Sequence, residues 1–352
     1  MRESLTKKQI SRAVFYFLAI SSSVVILGII LIIAREVILS RARTNLKDTA
    51  ETFTSLLTEK FEAYVSTLYA VRAVVAQDPE ITLPEWVSLQ DSIAVKDRYP
   101  GISGFSYIQK VNSADITGYV ARVSGDAQTI GYDPEYKNFK ITDQTNLPTS
   151  YIVRYVYPHN TWSRTIGLDL SSKPSRYQAM LIAGSSASPQ SSDQLSLFNS
   201  GKAGFVIFLP IYIQGTDESS GAELSGNLVG FVSAVFESDT LFKKTFEALP
   251  ESMQSMNIEV ISYDSMGEEV AVYRNERTGR DDSVNMTMKI AGKEWMINFS
   301  ADYLHRLPEW IPLAVGIPVV GVLSLNIFLF SLIGSLRRRA APDLTENRTP
   351  AF

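Results

Sequence analysis

Two apolar stretches without a charged residue, 13–34 and 310–336, bracket one long polar block. Each is long enough to cross a hydrocarbon core of about 30 Å as a helix. The first is longer than a signal-peptide core and is followed by Arg35-Glu36-Val37 rather than a small-residue cleavage site. The second carries Pro312, Pro318 and Asn326, which a membrane helix tolerates better than a soluble one. Arg2, Lys7, Lys8 and Arg12 precede the first stretch, and Arg337-Arg338-Arg339 follow the second. The positive-inside rule then predicts two transmembrane helices, both termini cytoplasmic, and residues 35–309 outside the cell membrane.

Residues 35–309 hold 25 basic and 34 acidic side chains, a formal charge of −9. Nucleic acid needs a basic face and is excluded as a partner. The chain has no cysteine, so this block depends on its apolar core alone. Its size allows that, with room for two small domains. The Asn-x-Ser/Thr triplets at Asn285, Asn298 and Asn347 carry no expectation of modification.

From Leu39 through Ala42, Leu46, Ala50 and Phe53 to Val75, apolar residues recur every three or four positions, without Gly or Pro. That is one face of a helix over 35–77, about 65 Å long. Its far half, from Phe61, is expected to pack on its own domain. Its near half is expected to be a stalk, paired with a second copy in a homodimer. A second helix is expected over 84–97. Strands are expected at 102–111, 151–157, 205–212 and 228–235, with a helix over 174–184 and a loop over 185–192. After a linking helix near 238–248, four more strands are expected at 258–263, 270–273, 284–290 and 295–299. The fold class is α+β, as two modules in series. The divisions are 1–12, 13–34, 35–77, 78–245, 246–309, 310–336 and 337–352. No internal sequence repeat is evident, and residues 337–352 hold no output module.

Enzyme signatures are missing. The two histidines, His159 and His305, are far apart, and no metal-binding or Gly-x-Ser-x-Gly spacing occurs. Asp133 and Glu135 form the kind of acidic pair that chance supplies in an acidic block. No enzymatic role, metal or cofactor is expected. Asp169 is expected to cap the helix near Pro174 or to hold a turn.

Tyr99-Pro100-Gly101-Ile102-Ser103-Gly104-Phe105 and Lys110-Val111 open an ordered series of short motifs. It continues with 151–157, Gly167-Leu168-Asp169-Leu170, Pro174-Ser175-Arg176, 204–212 and Gly230-Phe231-Val232. In order and spacing the series resembles the CHASE domain, an extracytoplasmic sensor domain of receptor histidine kinases and cyclases. The resemblance implies a long stalk helix and two PAS-like modules, the membrane-distal one holding a ligand pocket. Plant cytokinin receptors are similar proteins that hold an adenine-type ligand with an acidic residue and a Thr. Gap-free matching puts Arg176 and Phe208 at those two positions. An arginine accepts no hydrogen bond from a purine N–H, so a different ligand is implied, and Arg176 suits a carboxylate or phosphate. A salt bridge from Arg176 to Asp169 is the competing structural role. The resemblance further implies pocket contacts from Ser192, Phe198 and Phe208, with Tyr155 and Tyr212 on flanking strands. Strand alternation sends Arg154 and Tyr155 to opposite faces.

The function expected is a membrane-anchored sensor that binds a small molecule and transmits the signal across the membrane, with a separate kinase or cyclase as possible partner. The alternatives are a scaffold acting through a partner, or a truncated receptor histidine kinase.

Overall fold

The computed structural model describes residues 2–93, 101–213, 227–254, 256–275 and 282–301, with isolated helical positions between 316 and 331. Side chains are described from Ser22 onward. The chain forms two compact units, residues 46–302 and residues 1–45 with 303–352. In the second of these, Asn326 Nδ2 donates to Ser23 Oγ at 2.6 Å.

Helix α1 (Arg2–Gln77) contains the first apolar stretch. Among the described residues, no helix is long and apolar enough to cross a membrane. This corrects the expected localisation, with its two crossings, external residues 35–309 and cytoplasmic termini. The stretch 310–336 lies mostly outside the described residues, as do the tail 337–352, His305, Asn347, Tyr99 and Pro100.

Within residues 46–302, the apolar stripe of α1 is buried from Leu46 onward. Burial thus begins well before Phe61. Phe53 meets Phe299 edge-on, ring centroids 5.7 Å apart, so from Leu46 on the half expected to face a second copy is covered by the chain itself. Asp78 ends α1 and accepts the Glu80 N–H. Thr82 and Glu85 then form a capping box: the Glu85 carboxylate accepts from the Thr82 N–H at 2.9 Å and hydroxyl at 2.7 Å. Those bonds hold the Glu85 carboxyl below its ordinary value. The box starts α2 (Leu83–Ile93), whose Trp86 is fully buried and packs on Tyr107.

The first sheet contains β1 (Ile102–Asn112), β2 (Thr149–Tyr157), β3 (Gln190–Ser191), β4 (Leu195–Ser196), β5 (Ala203–Tyr212) and β6 (Leu228–Glu237). Its order is β2-β1-β6-β5-β3, with β4 also paired to β5, and every pairing is antiparallel. Between β1 and β2 lie α3 (Ile116–Gly125) and α4 (Ala127–Tyr132), and between β2 and β3 lie α5 (His159–Trp162) and α6 (Pro174–Ser186). Strands β2, β5 and β6 are buried along nearly their whole length. Both faces of the sheet are therefore covered, and the sequence reads as apolar runs such as Phe205-Val206-Ile207-Phe208-Leu209 rather than a clean alternation. One face meets α1, where Phe61 and Tyr64 pack on Phe236. The other face meets α5 and α6.

After α7 (Ser238–Glu247) comes the second sheet, made of β7 (Asn257–Tyr263), β8 (Glu269–Arg274), β9 (Asp282–Ile290) and β10 (Lys293–Ala301). Its order is β8-β7-β10-β9. Both sheets place their first and last strands side by side at the centre, a structural repeat that the sequence does not display. The fold is α+β.

Candidate functional site

Strand register builds one wall of a cavity. Ser106 of β1 lies opposite Ser233 of β6, which lies opposite Phe208 of β5. Directly paired residues share a face of the sheet, so two hydroxyls and a phenyl ring stand in one row. Val153, Val206 and Val235 complete this wall, and Trp162, Leu168, Leu170 and Arg176 form the one opposite. Phe198, 51% exposed, stands at the mouth, with the buried Leu197 beside it. The cavity is narrow, with about 40 Å³ of room for the centre of a water-sized sphere.

The opposite wall is held by its own polar groups. Trp162 Nε1 donates to the Ser103 carbonyl at 2.8 Å and the Thr165 hydroxyl to the Trp162 carbonyl at 2.7 Å. Gly167 has φ +79°, and a Cβ there would lie 2.1 Å from the Lys140 carbonyl oxygen, so no other residue fits this turn. Asp169 follows, fully buried. Its carboxylate accepts five hydrogen bonds: from the Thr145 N–H and hydroxyl, the Ser150 hydroxyl, and the Tyr151 and Ser171 N–H groups. It caps the 3-10 turn Leu170–Ser172, one turn before the helix at Pro174.

Arg176 sits in the first turn of α6 and makes no ion pair or hydrogen bond among the described residues. Burial alone pushes its guanidinium below the ordinary arginine value. The salt bridge to Asp169 is not formed, because backbone and hydroxyl donors already fill that carboxylate.

The structure brings Arg176, Phe198 and Phe208 together at this cavity. Ser192 lies nearby but does not line it: its hydroxyl donates to the Asp193 carbonyl and accepts the Val206 N–H, which fixes the segment before β4. The Tyr212 hydroxyl donates to the Gly184 carbonyl at 2.8 Å and ties β5 to α6. Tyr155 lies on the other face of the sheet, paired with Tyr107. The expected split of Arg154 and Tyr155 is also corrected. Register slips between Tyr107 and Ile108, which pair with Tyr155 and Val153. Arg154 is the extra residue of a bulge, and its guanidinium lies 4.6 Å from the Tyr155 ring centroid. It also reaches Asp126 at 3.2 Å. Burial works to raise the Asp126 carboxyl, but hydrogen bonds from Thr129 and Gln128, with the charge of Arg154, hold it below its ordinary value.

Asp133 does not pair with Glu135 as two carboxyls. One of its oxygens caps the turn Pro134–Asn138 and the other lies 2.6 Å from His159 Nε2. Among the described residues, no group of three or more His, Asp or Glu side chains is placed to hold a metal.

The segment at the mouth also reaches the second sheet. Asp193 N–H donates to the hydroxyl of Ser175, the neighbour of Arg176, at 2.7 Å. The Asp193 carboxylate pairs with Lys293 of β10. Ser191 N–H donates to the Ala291 carbonyl at 2.8 Å, and Gln194 bonds the Val272 carbonyl and the Ser238 hydroxyl. Sequence reading missed Trp162, Leu197, Ser106 and Ser233. Of the two serines, Ser233 did leave a signal, as a lone polar residue inside the buried apolar run 228–236.

A profile of the CHASE domain matches residues 79–273. No curated protein is similar enough to be matched. Among solved structures, the ligand-binding domain of the Pseudomonas aeruginosa PAO1 amino acid chemoreceptor PctC in complex with GABA is 8% identical. The alignment covers 72% of this chain and 97% of that one, with a TM-score of 0.40. The ligand-binding domain of the Pseudomonas fluorescens chemoreceptor CtaA with L-isoleucine is 14% identical, over 76% and 98% of the two chains, at a TM-score of 0.39. The sensory domain of the Campylobacter jejuni chemoreceptor Tlp3 with isoleucine is 10% identical, over 78% and 98%, at 0.39. The profile spans more than half of the chain, and the chain belongs to the CHASE domain family.

Proposed function

We propose that the chain is a ligand-binding sensor whose signal is a small molecule held in the cavity between the first sheet and α6. The supporting observation is that one segment both forms the mouth and grips the second sheet. Leu197 and Phe198 face the cavity, while Ser191, Asp193 and Gln194 of the same segment bond to the second sheet and to residues beside it. A ligand that widens the narrow interior displaces this segment, and the displacement is delivered to the hairpin at Ala291. Such a response requires a ligand with different affinity for the two arrangements. The reading is of a binding site, with no bond-making step assigned to any residue. The Asp169 carboxylate and the Thr165 hydroxyl beside the cavity are engaged in holding turns.

Thermal melting of the full chain across a small-molecule library tests the reading, with Phe198→Ala beside the wild type. Phe198 is half exposed, so its truncation leaves folding intact while altering the mouth. A ligand at 100 times its dissociation constant adds about 2.7 kcal/mol. The expected result is at least one compound that raises the wild-type melting temperature and acts more weakly on the variant. Compounds that stabilise both proteins equally, or none that stabilise either, would count against a sensor with its pocket here.

A further inference from the structure

Resting on that pocket assignment, we infer that the ligand is a small monocarboxylate with an apolar tail and no ammonium group. The cavity presents one positive charge, the desolvated Arg176 guanidinium, which no described residue neutralises. Both nearby carboxylates are taken, Asp169 by five donors and Asp193 by Lys293. Arg176 is half-buried, so its unpaired guanidinium has lost part of its hydration, and a bound anion offsets that cost. A carboxylate matches its fork with two parallel hydrogen bonds. The charge count favours a monoanion, since a phosphate dianion would bring a second negative charge with no second cation among the lining residues.

The hydroxyls of Ser106 and Ser233 face each other across β1 and β6 and make no hydrogen bond among the described residues. They are spare donors for the same two oxygens. The rest of the wall is apolar or aromatic, from Val153 and Leu168 to Trp162 and Phe208. No aspartate or glutamate lines the cavity, so an α-ammonium would be buried without a counter-charge. The narrow interior limits the tail to one small aliphatic or aromatic group.

Calorimetric titration of the full chain with matched pairs tests this. The pairs are 4-methylpentanoate against L-leucine and 3-phenylpropanoate against L-phenylalanine, with 4-methylpentanamide as the uncharged isostere. The expected result is binding of at least one acid, with its amino acid and amide weaker by roughly 10–100-fold, the worth of a charge-assisted contact. Arg176→Gln should lose a similar factor, and Arg176→Lys, which keeps the charge without the fork, less. An amino acid or amide that binds as tightly as the matching acid overturns the inference while leaving the sensor reading in place. Failure of both acids also overturns it, and the library melt with Phe198→Ala then decides the sensor reading separately.

Discussion

Asp169 and Arg176 lie seven positions apart and meet opposite fates. The carboxylate is buried and saturated with donors, while the guanidinium is half-buried and makes no ion pair or hydrogen bond among the described residues. Replacing Asp169 by Ala strands five donors, so the variant should lose about 3 kcal/mol or more in urea unfolding. A loss under about 1 kcal/mol would show that the turn is held by its backbone bonds alone. The role of Asp169 in a turn was legible in sequence, because Asp before a Leu-Ser-Ser turn is a capping pattern. The isolation of Arg176 was not, because it depends on where Asp169 and Asp193 spend their charges. Residues 113–148 gave little away for a related reason. Their short helices and turns start at Asp126 and Asp133, and no apolar run follows to mark them.

At the scale of elements, periodicity carried most of the information. The stripe of α1 and the four strands of the second sheet were readable from their spacing. The bulge at Arg154 was not, because an extra residue in a ladder is defined by the partner strand. Nor were β3 and β4, two residues each, which exist through their pairing with β5. The segment that holds them is pressed against the turn at Ala291-Gly292. Gly292 has φ +79°, and a Cβ there would meet the Gln190 amide. Gly292→Ala should therefore cost about 1–3 kcal/mol from backbone strain and crowding together. In a Gln190→Ala background the crowding part disappears, and the cost should fall toward about 1 kcal/mol. Equal costs in the two backgrounds would show that Gln190 is not pressed on this turn.

Within residues 46–302, the two sheets meet α1 through one aromatic cluster. Phe205 stacks on Phe236 at 5.0 Å and meets Trp295 of the second sheet at 4.9 Å, with Phe61 of α1 beside all three. A cluster shared in this way makes the two sheets one cooperative unit. Phe61→Ala should cost about 3–5 kcal/mol and leave a single unfolding transition at lower temperature. Two separate transitions in the wild type would contradict the shared core. Sequence could foresee two α+β blocks, yet it could not show that α1 serves both from Leu46 on, because Phe299, which covers Phe53, lies on the last strand, far along the chain.

The central claim is that the cavity keeps an unneutralised guanidinium for a ligand, at the expense of stability. It is tested most directly by the unfolding free energy of ligand-free Arg176→Met, measured beside its affinity for 4-methylpentanoate. Replacing an unpaired, half-buried charge by an apolar side chain of similar length should leave stability unchanged or raise it by about 1 kcal/mol, while binding is lost. A variant destabilised by 2 kcal/mol or more that still bound the acid as well as the wild type would show that Arg176 is a structural residue and that the pocket lies elsewhere.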